Sequence, residues 1–271
     1  MMEWMKLSEQ RLWLTIDSDD IRHLPRHQGH PTRSRHSLPV DCDGTGPSPE
    51  LKIGMEGFSR WFSEDGEVTL FLIADQLDSV DFRNWLQPML DTGRLKIASH
   101  GNTHRSWAAW PKDVEGFTSE LKAATKRLRE FSGSAWRPWF RAPAGYIAPW
   151  MAQVLSEQGY IVDSSVNPTT LLKRKTGRGN NWNKVVAAMK DNGLVERQWL
   201  TKRVLGLSLP SCGPALHKTF LKNISKRQWL ANSSLERATD SDIENPDVEI
   251  VTVYWHLLDH ARESGKWLPP L

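Results

Sequence analysis

The chain has 271 residues, 39% of them hydrophobic and 25% charged, enough to bury a sizeable core in one large domain or two small ones. Its net charge of +3 is too small for a dedicated nucleic-acid binder. No apolar run approaches the roughly 18–20 residues that a membrane span needs. Residues 1–14, broken by Glu3, Lys6 and Glu9, lack the apolar core of a signal peptide, so the chain reads as cytoplasmic.

From the N-terminus, "LWLTID" (12–17) reads as a buried strand that runs straight into three carboxylates, Asp17, Asp19 and Asp20. A long connection over 18–52, rich in Pro, Gly and Ser, follows. Within it, residues 21–37 carry Arg22, Arg26, Arg33 and Arg35 with His23, His27, His30 and His36, and no acid. Strand patterns recur at 68–74, 94–100, 138–143, 159–165, 195–200 and 248–256, and helix periods at 54–63, 79–92, 115–131, 147–158, 181–191 and 215–230. The clearest helix places Leu121, Ala124, Leu128 and Phe131 on one stripe and stops at Gly133. A polar, basic excursion occupies 166–194. No repeat or clean linker interrupts the alternation, so residues 1–271 read as one domain.

Strand–helix alternation over a whole chain implies a parallel α/β fold, either a barrel or an open doubly wound sheet. Asp17, His100, Arg141, Asp163 and His256 all fall at the C-terminal ends of predicted strands. A barrel gathers every such end around one mouth, whereas an open sheet gathers only those at a switch point, so the barrel is favoured.

"SHGNTH" sets His100 and His104 four residues apart. In a helix, or a tight turn after a strand, both imidazoles face one way, as a metal requires; the alternative is a surface turn with two solvated histidines. A carboxylate from "TIDSDD" would complete a His₂-carboxylate set with an open fourth position, the arrangement of many zinc hydrolases. Residues two apart on an extended strand share a face, so Asp17 and Asp19 can serve one site, while Asp20 points the other way unless the chain has already turned. Cys42 and Cys212 have neither zinc-site spacing nor the density of a disulfide scaffold. The fourteen tryptophans suit either core filling or stacking on sugar rings.

The order of "TIDSDD", "SHGNTH", "FRAPAG", "GYIVDSS" and "YWH" resembles the polysaccharide deacetylase family (the NodB-homology group, carbohydrate esterase family 4) from residue 12 to about 260. The resemblance implies a distorted (β/α)7 TIM-like barrel. It also implies hydrolytic removal of an N-acyl group, acetyl or formyl, from a sugar, polysaccharide or glycan precursor with one divalent metal, most often Zn²⁺. By the same resemblance Asp17 is the general base and Asp19, His100 and His104 are the metal ligands. Arg141 orients the base, the Ala144 N–H contributes to an oxyanion hole, His256 is the general acid, and Asp163 holds it. The match departs from the family pattern in two places. Ser18 separates aspartates that are adjacent in the common form, and Ala144 stands where the family has a tyrosine, a loss that Tyr146 could partly replace. Rival readings are hydrolysis of a small non-sugar amide or cyclic ureide, and a catalytically silent sugar-binding barrel.

His260 reads as a surface histidine and His217 as a structural one on a helix. The basic loop is either a solvated excursion or a wall of the barrel mouth, and in the second case its arginines favour an anionic substrate. Nothing in the sequence specifies an oligomer.

Overall fold

In an α/β barrel the inner and outer faces of each strand are both covered, which demands near-continuous apolar strands. The computed structural model, which describes residues 10–28, 30–34 and 46–271, has that character. Arg35, His36 and Cys42 lie outside the described residues. The elements in order are β1 (Arg11–Asp17), α1 (Pro49–Asp65), β2 (Val68–Leu72), α2 (Val80–Leu90), β3 (Leu95–Ser99), α3 (Val114–Ser132), β4 (Trp136–Phe140), α4 (Pro149–Glu157), β5 (Val162–Asp163), α5 (Trp182–Asp191) and β6 (Val195–Glu196). After these come a hairpin, β7 (Thr201–Val204) and β8 (Leu207–Pro210), then α6 (Lys222–Asn232), α7 (Asp240–Glu244), β9 (Ile250–His256) and α8 (Arg262–Gly265). Helix α3 starts where the Asp113 side chain accepts from the Gly116 N–H and ends at Gly133 (φ 52°), burying Phe117, Leu121, Ala124 and Leu128.

Seven strands form one sheet in the order β6-β5-β4-β3-β2-β1-β9, and every pairing in it is parallel. Its two ends meet after β6: Trp199 forms a parallel bridge with Thr252, and the Leu200 N–H donates to the Thr252 carbonyl at 2.9 Å. The sheet therefore curls into the expected (β/α)7 barrel. The hairpin was not foreseen. Its turn residues, Leu205 and Gly206, both have positive φ (48° and 79°), and a leucine at such a position carries no turn signal in sequence. Among the described residues no helix is long and apolar enough to cross a membrane.

Strand alternation decides which residues enter the barrel. Trp13, Phe71, Ala98, Trp139 and Val162 form an inner core with Ala238 and Ile243. The pleat then turns every second residue inward, so Thr15 and Asp17 on β1, and Arg141 just past β4, follow Trp13 and Trp139. Asp17 is in register with His256 on β9, which gives both side chains the same sense. Between the outer face and the helices lie two larger clusters, one around Phe58, Phe82, Trp229 and Trp255, the other around Phe117, Phe140, Met151 and Tyr160.

Helix α1 packs against the 3-10 turn Leu257–Ala261 that follows β9, and glycine sets how closely. A Cβ on Gly54 would stand 2.5 Å from the Leu257 carbonyl oxygen, and one on Gly57 2.9 Å from that of His260. His260 is buried there, accepting from the Trp255 indole N–H at 2.9 Å among Phe58, Trp61 and Trp267, and burial pulls its pKa down to about 4. It is a core histidine and not the surface one its sequence context suggested. Exposed helix Gly→Ala changes stabilise by roughly 0.5–1 kcal/mol; Gly54→Ala is expected to destabilise by about 1–3 kcal/mol because it overpacks this contact. A lowered urea midpoint at unchanged m-value checks the sign.

Candidate functional site

The inward residues at the strand ends converge on one cavity of about 550 Å³ lined by Asp17, Asp19, His100, Ala144, Trp199 and His256, among others. Arg141 stands behind Asp17, with no solvent exposure. Its Nη1 donates to Asp17 Oδ1 at 2.6 Å, its Nη2 to Thr15 Oγ1 and Ser164 Oγ at 2.8 and 2.9 Å, and its Nε to the Ser164 carbonyl at 2.9 Å. The guanidinium also lies 4.0 Å from the Phe71 ring centroid. One oxygen of Asp17 is thereby occupied, and the other faces His100 Nε2 at 4.0 Å.

Asp19 lies between two imidazoles: its Oδ1 is 2.9 Å from His104 Nε2 and its Oδ2 is 3.5 Å from His100 Nε2. Both rings are fixed from behind. His100 Nδ1 is 2.8 Å from the Arg141 carbonyl oxygen, and His104 Nδ1 is 2.6 Å from that of His23. His104 holds a left-handed backbone (φ 63°), an unfavourable conformation for a residue with a side chain and one concentrated at functional sites. Burial alone would raise the Asp19 carboxyl, but the His104 and His100 imidazoles outweigh it and hold the group well below the usual carboxylate range. Asp20 points elsewhere. It caps the turn Ile21–His23, accepts from the Ser48 N–H at 2.9 Å and also bonds the Ser48 hydroxyl. Asp17, Asp19 and His256 form a second group whose ligand-type atoms lie within 4.8 Å of one another, so the two groups share Asp19.

The expected pairing of Asp163 with His256 does not form. Asp163 is in register with Phe140 and shares its outward sense, while the next residue, Ser164, turns inward to Arg141. Asp163 instead accepts from the Ser165 hydroxyl (2.6 Å) and N–H (3.2 Å), and Ser165 Oγ in turn receives the Ala142 N–H at 2.8 Å. Burial raises the Asp163 carboxyl, and burial next to the Asp163 charge raises Glu196 well above its ordinary value. The carboxylate that meets His256 is Asp259, three residues on: its Oδ2 accepts the His256 N–H at 3.0 Å and lies 3.4 Å from Nδ1. A spacing of three after "YWH" was the available signal, since the chain turns at once into the 3-10 segment. Asp259 Oδ1 lies 2.9 Å from His217 Nε2, so His217, expected to be merely structural, lines the cavity as well. Tyr146 does not replace the missing ring at 144. It packs on His30 with ring centroids 5.0 Å apart, beneath the Lys175 ammonium. Of the tryptophans, Trp199 lines the cavity, its ring centroid 4.3 Å from that of Tyr254.

The polysaccharide deacetylase family model matches residues 63–162, the stretch that carries the His100–His104 pair and "FRAPAG". Over this stretch the chain is similar to the polysaccharide deacetylase family. This is a family of hydrolases of carbon–nitrogen amide bonds, and it supports deacetylation of sugar polymers. A structure from Mycobacterium smegmatis assigned to the polysaccharide deacetylases shares the fold with a TM-score of 0.53 at 16% identity, over 97% of this chain and 82% of that one. A family 4 carbohydrate esterase from Streptomyces lividans in complex with acetate gives a TM-score of 0.39 at 12% identity, over 91% of this chain and 80% of that one. No curated protein sequence matches the chain significantly.

Within this barrel the His256–Asp259 pair makes a pH-dependent contribution to stability. Burial would lower the His256 imidazole, but the Asp259 hydrogen bond and charge, with Asp19 and Asp17 behind, push it up to about 9. Burial would raise Asp259, but His217 and His256 hold it far below the usual range. A raised folded pKa stabilises below the unfolded value of about 6.5 and loses that stabilisation as pH rises through about 9. A depressed carboxylate stabilises above an unfolded value of about 4 and loses it as pH falls. In metal-free protein the stability difference between wild type and Asp259→Asn is therefore expected to be greatest between about pH 4 and 6.5 and to shrink on either side. Urea unfolding at three pH values across this range measures it.

Proposed function

We propose that the protein removes the N-acyl group of an acylated sugar or glycan precursor using one divalent cation, with zinc the best match to the donor set. The observation that carries this reading is the convergence of His100 Nε2, His104 Nε2 and Asp19, beside an Arg141-paired Asp17 and an Asp259-paired His256. The donors fit a cation. With each Nδ1 turned to a backbone carbonyl, a neutral imidazole presents its Nε2 lone pair to Asp19, and Asp19 Oδ2 and His104 Nε2 are buried without a hydrogen-bond partner. A cation accepts all three donors at once.

When bound there, the cation supplies Lewis acidity that polarises the acyl carbonyl and makes a water acidic near neutral pH. The chain's own residues supply the rest. Asp17, one oxygen held by Arg141, takes a proton from the attacking water with the other. The Ala144 N–H, on a turn with φ 51°, donates to the oxygen on which negative charge develops. His256, steadied by Asp259, delivers a proton to the leaving nitrogen as the amide bond breaks. Atoms balance as amide plus water giving carboxylic acid plus amine.

Zinc analysis after dialysis tests the metal set: Asp19→Ala is expected to retain less than about a tenth of the wild-type zinc, and Asp20→Asn to retain all of it. The base is tested by Asp17→Asn, which is expected to keep zinc and lose at least about 100-fold in kcat. Acetate release from N-acetylglucosamine and its oligomers checks the substrate class. Turnover of a cyclic ureide with no acetate from any sugar would replace this reading by the small-amide one.

A further inference from the structure

The cavity holds more positive charge than amide hydrolysis uses. Arg33 comes from the loop after β1, Lys175 from the 3-10 segment Thr170–Thr176, and Lys218 from the turn before α6, yet all three line the cavity that holds Asp17, Asp19 and Ala144. Every carboxylate in that lining is already engaged: Asp17 by Arg141, Asp19 by His100 and His104, and Asp259 by His217, His256 and Arg262. Arg33, Lys175 and Lys218 have no carboxylate partner among the described residues. The Lys175 ammonium donates to the Ala144 carbonyl at 2.6 Å, which fixes it directly on the turn expected to receive the acyl oxygen and leaves two of its N–H groups free to bond a ligand. Burial and the charges of Arg33 and Lys218 pull Lys175 down to about 8, a mark of cations gathered without a counter-charge. Like charges brought together from three separate segments are unfavourable unless an anion joins them.

We infer that Arg33, Lys175 and Lys218 form an anion subsite beside the scissile amide, and that the substrate is an N-acyl sugar carrying a phosphate or carboxylate. The inference rests on the deacylase reading for its chemistry, but its binding component stands independently. Arginine supplies paired donors to such a group and lysine a mobile point charge, the usual division of labour in phosphate recognition. A cavity of about 550 Å³ accommodates a sugar with one such substituent. The basic character read from residues 21–37 is only partly responsible: Arg22 is paired with Asp75, and of the arginines described in that loop Arg33 alone lines the cavity.

The test uses zinc-loaded protein and four probes: N-acetylglucosamine, its 1-phosphate, its 6-phosphate, and N-acetylmuramic acid. At least one anionic probe is expected to bind about tenfold or more tightly than the neutral sugar by calorimetry, and to show the same preference in kcat/KM. In Arg33→Gln and in Lys218→Gln, both surface changes, that preference is expected to fall severalfold, and in the double variant to approach unity. Raised salt should erode it in wild type. Equal binding of all four probes, or a preference untouched by the double variant, overturns the subsite. Charge-dependent binding without acetate release from any probe leaves the subsite standing and sinks the deacylase reading instead.

Discussion

The site depends on one buried cation. Arg141 has no contact with solvent, and its guanidinium joins Asp17 and Thr15 on β1 to Ser164 beyond β5, while its own carbonyl receives His100. An ionised group in an apolar barrel is tolerable only when paired and hydrogen-bonded, and each of the three guanidinium nitrogens of Arg141 has an acceptor. The consequence is positional: the same residue sets where the Asp17 carboxylate lies and which nitrogen of His100 faces the cavity. Removing it would leave Asp17 buried and unpaired, which couples the stability of the barrel interior to the arrangement of its mouth.

Around that anchor the strain is concentrated where chemistry is expected. His104 and Ala144 both hold left-handed backbone, one to aim an imidazole at Asp19, the other to turn a peptide toward the cavity. Neither turn stands alone. His104 is held by the His23 carbonyl, Ala144 by the Lys175 ammonium, and the strand end before Ala144 by Ser165 and Asp163. The long loop after β1 and the segment between β5 and α5 thus act as the outer frame of the site. They also bring the cations that distinguish this mouth from a neutral sugar cleft.

The sequence itself determined the parts that depend on short-range periodicity. Strand–helix alternation made the α/β barrel legible, and period two put Asp17 and Asp19 on one face with Asp20 on the other, because the chain stays extended through Asp20 (φ −106°, ψ 171°). Residues at strand ends, namely Asp17, His100, Arg141 and His256, could be named as neighbours because a closed barrel brings those ends together.

Tertiary structure decided the partners. Asp163 and Ser164 are adjacent, and only the register of β5 against β4 determines that the serine enters the barrel and the aspartate does not. Asp259 reaches His256 because the chain coils tightly after β9, and His217 reaches Asp259 from a segment about forty residues earlier, a meeting no local pattern encodes. Lys175 and Lys218 become cavity residues for the same reason. Side-chain direction along one strand is fixed by the pleat within a few residues, but pairing between segments is fixed by the packing of the whole barrel, and only the folded chain contains that information.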